Sequence, residues 1–98
     1  MILKERQNGN EEFKVTFIVP ASVNALSVNL CGEFNNWNRS ADCMERCEDG
    51  SFMLAMNLAA GRRFRFRYLL DGERWENDWA ADSYTPNPFG SNDSVVET

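Results

Sequence analysis

Apolar side chains return at every second residue through most of this chain, a period that suits strands and disfavours helices. Phe13, Val15, Phe17 and Val19 alternate with Lys14, Thr16 and Ile18 before Pro20 ends the run. Leu26, Val28 and Leu30 repeat the pattern up to Gly32. Asp49-Gly50 is a hairpin signal, followed by Phe52, Leu54, Met56 and Leu58 on one face. After Gly61 come Phe64, Phe66, Tyr68 and Leu70, and a second turn signal, Asp71-Gly72, leads into Arg74-Trp75-Glu76. Ser94 to Glu97 supply a short closing strand. Successive side chains of a strand point to opposite sides, so each run carries one apolar and one polar face. Two sheets packed on their apolar faces satisfy that pattern. The expected fold is therefore all-β, an antiparallel sandwich of about seven strands. The stretch from Asp78 to Asn92, with Pro86, Pro88 and Gly90, reads as a long ordered loop. Residues 1–11 read as a flexible lead-in to a single domain over 12–98.

A length of 98 residues gives one domain, and 43% hydrophobic residues suffice for its core. Met1-Ile2-Leu3-Lys4-Glu5 lacks the apolar run of a signal peptide, and no segment approaches the roughly 20 apolar residues of a membrane span. The expected location is cytoplasmic. A net charge of −5 argues against nucleic acid or anionic membrane as a partner, since either rewards a basic surface. Cys31, Cys43 and Cys47 are odd in number and read as reduced thiols. With no CxxC pair and no histidine, neither a metal nor another cofactor is expected. The same lack of histidine removes Ser-His and Cys-His catalysis. Asp71, Glu73, Glu76, Asp78 and Asp82 formally offer a carboxylate pair. So small a sandwich gives little from which to wall a cleft, and turns favour Asp for structural reasons. A non-catalytic domain is expected.

Three tryptophans lie outside the alternation. Trp37 sits in Gly32-Glu33-Phe34-Asn35-Asn36-Trp37-Asn38, Trp75 follows the second turn, and Trp79 lies in an acidic stretch. Exposing such rings costs about 25 cal/mol per Å² of apolar surface, a cost removed when a flat amphipathic ligand covers them. A sugar ring has an apolar C–H face and a rim of hydroxyls, so indole can stack on the face while amides and charges bond the rim. Asn35, Asn36, Asn38, Asn92, Arg67 and Asp71 are suitable rim partners. The alternative is that each loop tryptophan folds back as a lid over the core. Arg63, Arg65 and Arg67 form a basic stripe opposite Phe64, Phe66 and Tyr68. That stripe is either a solvated face balanced by carboxylates, a set of donors to sugar hydroxyls beside an indole, or, with least support, a phosphate-binding row.

The order Gly32-Glu33-Phe34-Asn35-Asn36-Trp37, Asp49-Gly50-Ser51-Phe52, Leu58-x-x-Gly61, Phe66-Arg67-Tyr68-Leu69-Leu70-Asp71-Gly72, Phe89-Gly90-x-Asn92 and Val95-Val96 resembles a known family. It is similar to the early-set, immunoglobulin-like domains of the isoamylase N-terminal or glycogen-binding type, over about residues 12–97. These carbohydrate-binding modules precede the barrels of branching and debranching enzymes and occur in the AMP-activated protein kinase beta subunit. The segments Trp75 to Asp82 and Pro86 to Gly90 are closer to small bacterial isoamylase early-set domain proteins. The resemblance implies an immunoglobulin-like sandwich that binds α-glucan: glycogen, starch or maltooligosaccharide. It implies that Trp37 stacks on glucose, with Arg67 where the kinase subunit has Lys and with Phe89 pressing on the chain. Its second tryptophan stands one residue earlier than Trp75, and one step along a strand exchanges faces. The amide position falls on Asp93 by strict count, with Asn92 beside it, and Asn36 is a further polar candidate. A glycogen-metabolism enzyme is the other implied partner. The alternative is a protein-interaction or structural accessory domain of a branching or debranching enzyme, or of a kinase complex, without sugar binding.

Overall fold

A computed structural model describes residues 1–7 and 11–98. The described residues form nine strands: β1 (Ile2–Arg6), β2 (Glu12–Val19), β3 (Val28–Gly32), β4 (Glu45–Arg46), β5 (Phe52–Ala59), β6 (Arg63–Leu70), β7 (Arg74–Glu76), β8 (Ser83–Pro86) and β9 (Asn92–Glu97). One sheet has the order β1-β2-β5-β4; the other runs β3-β6-β9-β8, with β7 also paired to β6. Every pairing is antiparallel. The two sheets pack as an immunoglobulin-like sandwich, as the alternation requires. No helix among the described residues is long and apolar enough to cross a membrane.

The core lies where the period-two pattern puts it. Val15, Phe17 and Val19 of β2 and Phe52 and Leu58 of β5 meet Val28, Leu30, Phe66, Tyr68, Leu70 and Val96 from the opposite sheet, all buried. Phe66 packs edge-on with Phe17 at 5.1 Å and with Tyr68 at 5.6 Å between ring centres. Such tilted pairs add to the burial of the rings themselves.

β6 organises the second sheet. Its residues Phe66 to Leu70 pair with β3 on one edge. The other edge is shared end to end by β9, opposite Arg63 to Phe66, and β7, opposite Tyr68 to Leu70. The turn into β7 has two left-handed residues, Asp71 (φ 54°) and Gly72 (φ 71°), closed by the Glu73 N–H donating to the Leu70 carbonyl at 3.0 Å. With Leu70 paired to Arg74, the loop holds three residues, Asp71–Glu73, and its left-handed positions fall on residue types that tolerate them.

Four segments differ from the sequence reading, one being the two-residue edge strand β4, too short to show a period. Within the expected lead-in, Ile2–Arg6 is an edge strand paired to β2 from Ile2↔Phe17 to Arg6↔Phe13. Ile2 alone of this strand packs against the core, too little apolar signal to show as alternation. Residues 8–10 of that lead-in lie outside the described residues. The stretch read as a loop before Asn92 contains β8, an edge strand whose Pro86 stands at its end, where a missing N–H is tolerated. Finally, Leu26 is 83% exposed and precedes the strand. The Asp71 carboxylate accepts the N–H groups of Leu26 and Ser27 at 2.8 and 2.9 Å, while the Ser27 carbonyl accepts the Asp71 N–H at 2.9 Å, so the N–H groups there bond a side chain rather than a strand partner.

Candidate functional site

A groove of about 560 Å³ runs over the outer face of the five-stranded sheet. Its floor is β6, from which Arg65 and Arg67 rise opposite the buried Phe66 and Tyr68. Trp75 stands beside them. Its partner across the strands is Leu69, which shares a face with Arg67, and directly paired residues project to the same side. The Asp71–Glu73 turn thus absorbs the one-residue offset, and Trp75 faces the groove.

Trp37 reaches the same groove from the end of β3. The chain leaves Gly32 through a 3₁₀ turn, Glu33–Asn35, then passes Asn36 (φ 56°) and Trp37 (φ 58°), both left-handed. The Trp37 N–H donates to the Gly32 carbonyl at 2.8 Å. Left-handed backbone costs a non-glycine residue roughly 1–2 kcal/mol, and such strain persists only when neighbours impose it. Asn35 imposes it here. Its Oδ1 accepts the Gly32 N–H at 3.0 Å, while its amide donates to the Leu30 carbonyl at 2.9 Å and to Asp42 at 2.8 Å. Trp37 and Trp75 are each half-buried rather than folded into the core.

Phe89 closes the third side from the tip of the β8–β9 turn, 91% exposed. Asn87 fixes that turn: its Oδ1 accepts the N–H groups of Phe89 (2.9 Å) and Ser91 (3.2 Å). The Asn87 amide donates to Asp93 at 3.1 Å, tying the turn to β9.

The arginine stripe divides along β6. Arg63 is paired with Glu97 at 3.1 Å and donates to Ser83 at 3.1 Å, a balanced solvent face. Arg65 stands 3.9 Å from Asp93. Arg67 has no ion-pair partner among the described residues, and its Nε is buried without a hydrogen-bond acceptor. A fourth arginine, Arg39, lies over the Trp75 ring at 5.6 Å, a cation–π contact.

Of the six residues singled out from sequence, Trp37, Trp75, Arg67 and Phe89 converge on the groove. Asn36 and Asn92 do not line it. Asn36 is exposed at the left-handed bend, and Asn92 is one step out of phase along β9 with Asp93, which does line the groove. Asp93 is thus the strict-count residue, and Arg65 belongs to the basic stripe that the sequence marks, whereas Arg39, Glu33 and Asn87 carried no distinguishing signal as groove residues. Asn35 and Asn38, expected at a sugar rim, bond local backbone instead, and Asp71 accepts from the distant Leu26 and Ser27 N–H groups. Trp79 is 61% exposed but stands apart from the groove.

Of the acidic candidates, Asp71, Asp78 and Asp82 are engaged within the fold. Asp78 is fully buried, accepting the Tyr68 hydroxyl at 2.6 Å and the Ala80 N–H at 2.7 Å. Burial, then the charge of Asp78, pushes the Tyr68 phenol well above its ordinary range. Asp82 accepts from Lys4 and from the Glu97 N–H. The groove's own carboxylates are also engaged: Glu33 accepts the Arg65 N–H at 2.7 Å, and Asp93 bonds Asn87. The three cysteines are unbridged, and burial raises the pKa of the Cys31 thiol.

No family model matches the chain. Over 76 residues it is 36% identical to the protein FLOURY ENDOSPERM 6, chloroplastic, of Oryza sativa subsp. japonica. The alignment takes in 78% of this chain but 14% of the rice protein, so the chain spans about one seventh of that relative's length.

Proposed function

We propose that this domain is a non-catalytic α-glucan-binding module of the isoamylase N-terminal type. The observation that carries the reading is the meeting of Trp37, Trp75 and Phe89, from three separate chain segments, around the unpartnered Arg67. Two indoles and a phenyl ring bordering a shallow groove suit consecutive glucose units, whose apolar faces lie along a curved chain. Arg67 then donates to hydroxyls that a purely aromatic surface would leave unbonded. The likeness to the rice protein supports a carbohydrate-related role. Affinity should be modest, because ordering a flexible oligosaccharide offsets much of the stacking gain.

Affinity electrophoresis in glycogen-containing gels tests the reading. The native domain should be retarded relative to a glycogen-free gel, and Trp37→Ala should migrate freely. Identical mobility of the native domain in both gels would remove the proposal. Retention of a cellular protein by the domain, undiminished by excess maltoheptaose, would instead favour a protein partner on this surface.

A further inference from the structure

The groove holds more positive charge than a neutral sugar requires. Arg39, Arg65 and Arg67 all line it, against two carboxylates, in a chain whose net charge is −5. Neither carboxylate is free to neutralise all three. Glu33 is turned to the Arg65 backbone N–H, and Asp93, with a side chain only 9% exposed, is held by Asn87 and stands 3.9 Å from Arg65. Arg67 is left with a buried Nε that has no acceptor, a costly state for a polar group. A guanidinium presents five donors in a planar fork matched to phosphate oxygens. A glucose hydroxyl can satisfy a donor but cannot compensate the charge.

We infer that the groove prefers α-glucan carrying a phosphomonoester, with the phosphate held by Arg67, Arg65 and Arg39 and the bearing glucose stacked between Trp37 and Trp75. The inference rests on the glucan reading and deepens it. The aromatics set this site apart from a simple anion site, because the guanidinium groups lie among the stacking rings and Arg39 itself lies over one of them at 5.6 Å. A phosphate ester adds about 1.5 to 2 negative charges at neutral pH and three acceptor oxygens, enough to engage more than one arginine by charge-assisted bonds.

The test uses the whole 98-residue chain and two ligands: a phosphorylated maltooligosaccharide, and the same preparation after phosphatase treatment. Titration calorimetry at low salt and neutral pH should show roughly tenfold tighter binding of the phosphorylated form. The preference should shrink in about 0.5 M salt, which screens exposed charge. It should also shrink below about pH 6, where the ester gains a proton while arginine does not change. These two readouts need no variant. Replacing Arg39, Arg65 and Arg67 together by Gln should bring the affinity ratio close to one, and Arg67→Lys should restore part of it in the double Gln background. Equal affinity of the native domain for both ligands would overturn the inference; if that shared binding is lost in Trp37→Ala, the glucan reading survives. Binding of neither ligand would overturn both. Competition by inorganic phosphate alone as strong as by the phosphorylated glucan would also overturn it, by showing an anion site indifferent to the sugar.

Discussion

Gly32 offers a sharp test of how the end of β3 is packed. Its backbone is extended (φ −171°), so any residue could adopt its conformation. Space is what forbids a side chain. A Cβ there would stand 2.6 Å from the Arg65 carbonyl oxygen, 2.8 Å from Phe34 Cζ and 2.9 Å from Phe66 Cβ. Carbon atoms at their optimum separation are about 3.5–4.0 Å apart, and the nearest clash is with sheet backbone, which has little room to yield. Phe34 could swing away, but its ring packs against Phe17 and Phe64. Overpacking of this kind costs about 1–3 kcal/mol. For a domain of this size each kcal/mol lowers Tm by roughly 4–8 °C, so a cost near 2 kcal/mol predicts Gly32→Ala to melt about 8–16 °C early. Gly61→Ala is the comparison. Nothing lies within 4 Å of its Cβ position, and its only burden is a left-handed φ of +73°, worth roughly 1–2 kcal/mol. Circular dichroism melts of Gly32→Ala against the native domain decide the matter, with Gly61→Ala showing what a left-handed φ alone costs. Because the Gly32 carbonyl holds the Trp37 N–H, Gly32→Ala should also weaken retention in glycogen gels. A Gly32→Ala protein that melts within about 2 °C of the native one would show that the strand shifts freely, and the packing argument would be wrong.

Tyr68→Phe should cost roughly 1–3 kcal/mol by leaving the buried Asp78 carboxylate one donor short, and unchanged urea unfolding would refute that. Phe89→Ala should weaken glucan binding by about fivefold, the loss of about 1 kcal/mol of stacking, while leaving Tm unaltered because the ring is 91% exposed. Asn36→Ala and Asn92→Ala should bind as the native domain does; a large loss in either would mean that the groove extends further than described. Acid should destabilise the fold through Asp71, whose carboxyl is held below its ordinary range by the Ser27 and Leu26 N–H groups, and Asp49, held there by Ser51. With both folded-state values depressed, their stabilisation is present above about pH 4 and is lost as pH falls through the folded pKa values. Asp71→Asn should flatten that acid limb of a Tm-against-pH curve, and an unchanged limb would contradict the assignment.

The parts of this structure legible in the sequence are those governed by periodicity. β2, β5 and β6 alternate over long runs and bury one face each, so both their existence and their inward residues follow from residue order. β1 was not legible because only Ile2 faces the core. β8 was masked because Pro86 and its neighbours carry turn composition, and its identity as a strand comes from pairing with β9. The site divides in the same way. Trp37 and Trp75 stand out as rings in polar segments and Arg67 as part of a charge stripe, while Phe89 follows only from the family resemblance. Asn36 and Asn92 are marked in the sequence by their amides, Asn92 also by lying beside the family's amide position, whereas strand phase and a left-handed bend decide what faces the groove. Arg39 and Asn87 depend on how loops close, which a linear pattern does not encode.

One strand carries both the fold and the site. Phe66, Tyr68 and Leu70 of β6 hold the sandwich together, while Arg65 and Arg67, interleaved with them, form the groove floor. Inserting or deleting a single residue in β6 would turn the cations inward and the rings to water, so ligand charge preference can be altered there only by point exchange. The borders are restricted unequally. The Glu33–Asn38 bend is tied to the interior through the Phe34 ring on Phe17 and through Asn35 on the β3 backbone. The exposed tip at Pro88–Gly90 is not part of the core and can exchange side chains without disturbing it, so on the proposed reading the tip is where ligand selectivity has most room to diverge.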